Sequence, residues 1–198
     1  MRIACINGWS FGDAETRCVF ERRFLNTEVC IAQAVEDWEA RLEAIGSVDW
    51  LFGYSLGAFL LLSRRDSIDF EAQRVTLLAP FEDFKAEANR GGKTKRGQLS
   101  YLLKWLDRDA QEAVSDFRRR ANLTAAMELQ VSPEDLKWGI RTLRDESIVP
   151  GSLKGVESYL GREDPLLDAG SMEKRYPHIE VMDEVGHELS SLLMGVKE

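Results

Sequence analysis

Ser55 stands between two glycines in Gly53-Tyr54-Ser55-Leu56-Gly57. A serine hydroxyl is a poor nucleophile until a base takes its proton, so this pattern does chemistry only if a histidine and an acid follow it. The chain has two histidines. His178 opens an apparent strand, His178-Ile179-Glu180-Val181-Met182, whereas His187 lies past its end in Val185-Gly186-His187. Reactive groups in open α/β sheets gather beyond the carboxyl ends of the strands, so His187 is the expected base and His178 is expected to be structural. The acid should follow the preceding strand, and Gly161-Arg162-Glu163-Asp164-Pro165-Leu166 does so. Asp164 is the first choice, with Glu163 and Asp168, then Asp183 and Glu184, as rivals.

Gly-x-Ser-x-Gly alone is weak evidence, since a chain of this length meets it by chance roughly 7% of the time. Its setting decides. The hydrophobic run Val48-Asp49-Trp50-Leu51-Phe52 feeds into it, and the helix-forming run Ala58-Phe59-Leu60-Leu61-Leu62 leaves it. A strand–turn–helix this tight needs glycine on both sides of the nucleophile and exposes the serine. The N–H of Leu56 then sits at a helix amino end, where developing negative charge is stabilised. A second oxyanion donor is expected from the loop after the first strand, Ile6-Asn7-Gly8-Trp9-Ser10, with the N–H of Trp9 as the candidate.

The elements around these residues alternate in a βαβ rhythm. Strand signals fall near Ile3–Ile6, Glu28–Ala32, Val48–Phe52 and Arg74–Leu78. Between the second and third, Val35, Trp38, Leu42 and Ile45 share one helical face, and Gly46 can stop the helix. From Phe81 to about Pro150 the strand signal disappears in favour of helical segments such as Leu99–Leu106 and Ala110–Arg120; strands return at Gly155–Leu160 and His178–Met182, each followed by a helix. The expectation is a parallel-sheet core over residues 1–80 and 151–198, interrupted by a helical cap over 81–150.

Asn7-Gly8-Trp9, Gly53-Tyr54-Ser55-Leu56-Gly57-Ala58, Leu78-Ala79-Pro80, Gly161-x-x-Asp164-x-Leu166 and Gly186-His187 occur in an order that resembles the α/β-hydrolase superfamily along the whole chain. The Gly-Trp loop and the Tyr-Ser-Leu turn look most like BioH-type carboxylesterases, the pimeloyl-acyl-carrier-protein methyl ester esterases of biotin synthesis. The resemblance implies the α/β-hydrolase fold, a Ser55–Asp164–His187 triad, and Trp9 and Leu56 as oxyanion donors. It also implies a small acyl ester substrate, or one carried on acyl carrier protein. The chain departs from longer members in lacking the hairpin before the first strand. A thioesterase or a general short-acyl carboxylesterase would use the same machinery, and a non-catalytic binding protein could keep the fold without it.

Bulk properties agree with one self-folding unit: 198 residues, 44% hydrophobic and 30% charged. Cys5, Cys18 and Cys30 form no Cys-x-x-Cys pair, and the N-terminal apolar stretch is too short for a signal peptide, so a soluble cytoplasmic protein with reduced thiols is expected. No run approaches a membrane span, and the reaction requires neither metal nor organic cofactor. Residues 90–120 hold nine Lys or Arg against four acids, while the whole chain is at −8, so a basic island of +5 faces a remainder at −13. Its Arg118, Arg119 and Arg120 are candidates for contact with substrate or an acidic carrier protein. The alternative is a solvated helix face. The overall acidity argues against nucleic acid as a partner.

Overall fold

The computed structural model describes residues 1–64, 70–124 and 128–197. Six parallel strands form the central sheet: β1 Arg2–Ile6, β2 Glu28–Ala32, β3 Val48–Tyr54, β4 Ala72–Leu78, β7 Glu157–Gly161 and β8 Glu180–Met182, in the spatial order β2-β1-β3-β4-β7-β8. In β1, Ile3, Ala4, Cys5 and Ile6 are fully buried. Such continuous apolar runs mark strands covered on both faces, and helices flank this sheet.

Helix α1 (Asp13–Arg23) and α2 (Trp38–Ile45) connect the first three strands, and α3 (Leu56–Ser63) follows β3 directly. Every residue of α3 from Leu56 to Leu62 is buried, as expected of a helix that is apolar all round. Helix α2 starts three residues later than the apolar spacing predicts. The chain just before it is committed elsewhere: the N–H of Ala34 donates to Asn7 Oδ1 at 2.9 Å, and Val35 N–H to the Gln33 oxygen at 2.9 Å.

The insertion between β4 and β7 is not purely helical, contrary to the sequence expectation. It opens with a two-stranded parallel sheet, β5 (Asp83–Lys85) and β6 (Gly91–Thr94), before α4 (Arg96–Leu106), α5 (Ala110–Arg120) and α6 (Pro133–Asp145). These strands are three and four residues long, and Gly91-Gly92-Lys93-Thr94 has no apolar alternation to reveal it. Gly91 adopts φ +111°, a conformation that favours glycine. Helix α6 begins on a side-chain cap, Ser132 Oγ accepting from the Asp135 N–H at 3.2 Å, with Pro133 in the first turn.

Two short helices complete the core, α7 (Ala169–Arg175) after β7 and α8 (Leu189–Gly195) after β8. Strand β8 begins at Glu180, so His178 lies in the turn before it. Among the described residues no helix is long and apolar enough to cross a membrane.

Candidate active site

Ser55 occupies the turn between β3 and α3 with φ 53° and ψ −111°, a backbone state rarely adopted by a residue with a side chain. The fold holds it there from several sides. Its N–H donates to the Leu78 oxygen at 2.9 Å, its own carbonyl accepts from Phe59 at 3.1 Å, and the Gly57 N–H donates to the Asn7 oxygen at 3.1 Å. A Cβ on Gly57 would lie 2.7 Å from that oxygen, and one on Gly53 would lie 2.8 Å from the Ala58 Cα. Both glycines are therefore needed for close backbone approach.

His187 arrives on the loop after β8. Its Nε2 is 2.9 Å from Ser55 Oγ and its Nδ1 is 2.6 Å from Asp164 Oδ2. Asp164 lies just past β7. Its other oxygen accepts the N–H groups of Leu166 at 2.8 Å and Leu167 at 3.0 Å, which restrain the carboxylate that meets His187. All three side chains are shielded; Ser55 is 8% exposed and the other two less.

The rival acids are engaged elsewhere. Asp168 caps α7 through the Ser171 N–H at 3.1 Å, and Asp183 pairs with Arg162 on the surface. Neither Glu163 nor Glu184 bonds to a histidine among the described residues. His178 contacts the Leu153 oxygen through Nε2 at 2.9 Å, a structural role.

Leu56 follows Ser55 at the start of α3, Trp9 lies on the loop after β1, and neither backbone N–H makes a hydrogen bond among the described residues. Asn7 shapes the first of these loops. It is fully buried, donates from Nδ2 to the Phe11 oxygen at 2.8 Å and accepts the Ala34 N–H through Oδ1. The Trp9 indole points into the insertion, donating to the Leu136 oxygen at 2.9 Å with its ring 4.7 Å from that of Phe117. Gly139 makes room for it, since a Cβ there would lie 2.6 Å from the indole Cδ1.

Beside Asp164, a cavity of about 130 Å³ opens between α4, α5, β6 and the loop after β7, with Leu99, Leu102, Phe117 and Leu166 as its apolar wall and Lys93 and Gln98 among its polar lining. Lys93 also donates to the Asp164 main-chain oxygen at 2.7 Å. Four other depressions are larger, at about 560, 440, 410 and 310 Å³, and like this cavity they are lined by none of Ser55, His187 and Asp164; this one adjoins the triad through Pro165 and Leu166. The largest of these is lined by the amino ends of β1, β3 and β4, the wrong edge of a parallel sheet for chemistry.

The three consecutive arginines of α5 separate. Arg118 is only 2% exposed and turns inward to Glu15, so it cannot belong to a docking face as the sequence expectation had it. Helical phase is the reason: Ala113, Val114 and Phe117 form the buried face, and Arg118 falls one turn after Val114. Arg119 and Arg120 remain exposed, paired with Asp116.

A parallel sheet in this order, a strand–serine–helix turn and an inserted helical region define the α/β-hydrolase fold. Sequence comparison finds no matching family model and no matching curated protein. Solved structures do match. An esterase from Exiguobacterium antarcticum superposes with a TM-score of 0.72 at 14% identity, covering 96% of this chain and 85% of that one. The hydrolase olei00960 from Oleispira antarctica gives 0.68 at 12% identity, covering 98% and 86%. BioG from Haemophilus influenzae gives 0.62 at 11% identity, covering 96% and 90%.

Proposed function

We propose that the protein is a serine carboxylesterase working through an acyl-enzyme. The observation that carries this reading is the unbroken Asp164–His187–Ser55 chain, with contacts of 2.6 and 2.9 Å, ending on a serine at φ 53°. Ser55 Oγ attacks the ester carbonyl carbon while its proton passes to His187 Nε2. Asp164 accepts the Nδ1–H, holds the ring's tautomer and stabilises the imidazolium. The N–H groups of Trp9 and Leu56 receive the oxyanion. As the tetrahedral intermediate collapses, His187 returns the proton to the departing alcohol; water then attacks the acyl-enzyme by the same route and releases the acid. The fold of the neighbouring esterases agrees with this assignment.

Residues 81–150 act as the cap, and the apolar-walled cavity beside Asp164 takes the acyl chain. The finer reading is hydrolysis of pimeloyl-acyl-carrier-protein methyl ester. It is supported by the motif resemblance and by the exposed Arg119 and Arg120 on the cap. A thioester in the same cavity would be cleaved by the same residues.

A fluorophosphonate probe tests the central claim. Wild type should label and Ser55→Ala should not; absence of labelling, or labelling unchanged in Ser55→Ala, would sink it. Turnover of the carrier-bound methyl ester in preference to short p-nitrophenyl esters would support the finer reading, and turnover of the latter alone would overturn it.

A further inference from the structure

Helix α5 carries a guanidinium into the interior, and a buried charge persists only where partners compensate its lost hydration. Arg118 has them. It forks onto the Glu15 carboxylate of α1, donates from Nε to the Thr124 oxygen at 2.7 Å and from Nη1 to the Ser10 oxygen at 3.4 Å, and stacks 4.5 Å above the ring of Phe11. Ser10 and Phe11 are the second half of the oxyanion loop. Ser10 sits at φ 68°, which a non-glycine residue holds only when its surroundings impose it, and its buried Oγ has no partner among the described residues to help.

Asn7 pins the start of this loop to β2's exit and to the Phe11 oxygen. Trp9, whose N–H is the proposed oxyanion donor, lies between the two anchors. Its indole is also held by the insertion, through Leu136 and Phe117. The loop therefore has one anchor in the core and one that belongs to the inserted helices.

We infer that Arg118 is a positioning residue: it couples the seating of α5 to the geometry of the oxyanion loop, so that the Trp9 N–H is aimed only while α5 is docked. This rests on the esterase reading of Ser55. Arg118 contacts neither Ser55 nor His187, so its removal should act on the chemical step through Trp9 rather than on ester binding.

The test uses Arg118→Gln, Arg118→Lys and Glu15→Gln, with Arg108→Gln on the exposed turn after α4 as a control. The readouts are kcat and KM on p-nitrophenyl butyrate, the rate of fluorophosphonate labelling, and Tm. Arg118→Gln should lower kcat and the labelling rate about 10- to 100-fold, the scale of a donor displaced by roughly 1 Å, with KM within about twofold of wild type. Arg118→Lys keeps the charge beside Glu15 but not the fork, and should restore Tm more fully than kcat. Glu15→Gln, which leaves the arginine in place, should give a smaller loss in the same direction. If Arg118→Gln fails to fold, the other two variants decide. Wild-type kcat and labelling in the folded variants, with only Tm reduced, would show a merely structural arginine and overturn the inference. An inert wild type would instead mark the failure of the esterase reading itself.

Discussion

The hydroxyl of Tyr54, the residue just before the nucleophile position, donates a 2.7 Å hydrogen bond to the main-chain oxygen of His187. The turn that presents Ser55 thus also anchors the loop that presents its base. Burial pushes the phenol's pKa well above its ordinary value, and the nearby Asp164 charge acts in the same direction, so Tyr54 stays a neutral donor at working pH. Tyr54→Phe leaves the His187 oxygen buried without this partner, at a cost of about 1–3 kcal/mol. We expect a lower Tm and a kcat loss exceeding any change in KM. A variant with wild-type kcat would show that the bond does not position His187.

The backbone of Ser55 makes a separate prediction. A side-chain-bearing residue at φ 53° and ψ −111° carries on the order of 1–3 kcal/mol of strain, which glycine avoids at the expense of about 0.5–1 kcal/mol of chain entropy. Ser55→Gly and Ser55→Ala should both be inactive, but Ser55→Gly should melt at the higher temperature. Equal Tm values in calorimetry would mean that the turn is unstrained.

How far the site can be read from the chain depends on how local its determinants are. Ser55 is legible because strand, glycines and helix are consecutive, and His187 because only two histidines compete and one falls before β8. Asp164 follows from where β7 ends. Asn7 and Tyr54 belong to visible motifs, yet their side-chain bonds to Ala34 and His187 join segments 27 and 133 residues apart, which no local pattern encodes. Arg118, Arg119 and Arg120 are indistinguishable by type, and only the rotation of α5 on its neighbours turns the first inward. Strands β5 and β6 leave no periodic trace because they are only three and four residues long and half of β6 is glycine. Helix α6 escapes a search for apolar runs; the signal that would have found it is the capping chemistry of Ser132-Pro133-Glu134-Asp135.

The cavity beside Asp164 sets acyl length in this reading. Thr94 lines it from β6 and is half-buried, so a larger side chain there can project into the space without replacing a core residue. Thr94→Trp should reduce kcat/KM for p-nitrophenyl hexanoate at least about tenfold more than for the acetate, a difference of about 1.4 kcal/mol in transition-state binding. Parallel losses on both esters would place the acyl chain elsewhere.

Stability should fall in acid for a reason visible at the far end of the sheet. Glu157 on β7 accepts two hydrogen bonds from Arg74, at 2.6 and 2.7 Å, and others from Thr76 at 3.0 Å and Tyr159 at 2.9 Å. Thr76 in turn accepts from the Trp50 indole at 2.8 Å, and the Arg74 guanidinium lies 3.8 Å over that ring, so β3, β4 and β7 are tied together. Partial burial opposes ionisation of Glu157, but these bonds outweigh it and hold its pKa below the usual carboxylate value. A carboxyl depressed in the folded state stabilises the fold above its unfolded pKa, about 4.3 for Glu, and loses that contribution as pH falls through the folded value. Tm should therefore be nearly flat from pH 7 to about pH 5 and drop below about pH 4. Glu157→Gln should lower Tm at pH 7 and narrow the gap between pH 7 and pH 3.5. Thermal melts across that range check it, and a gap as wide in the variant as in wild type would remove Glu157 from the account of acid lability.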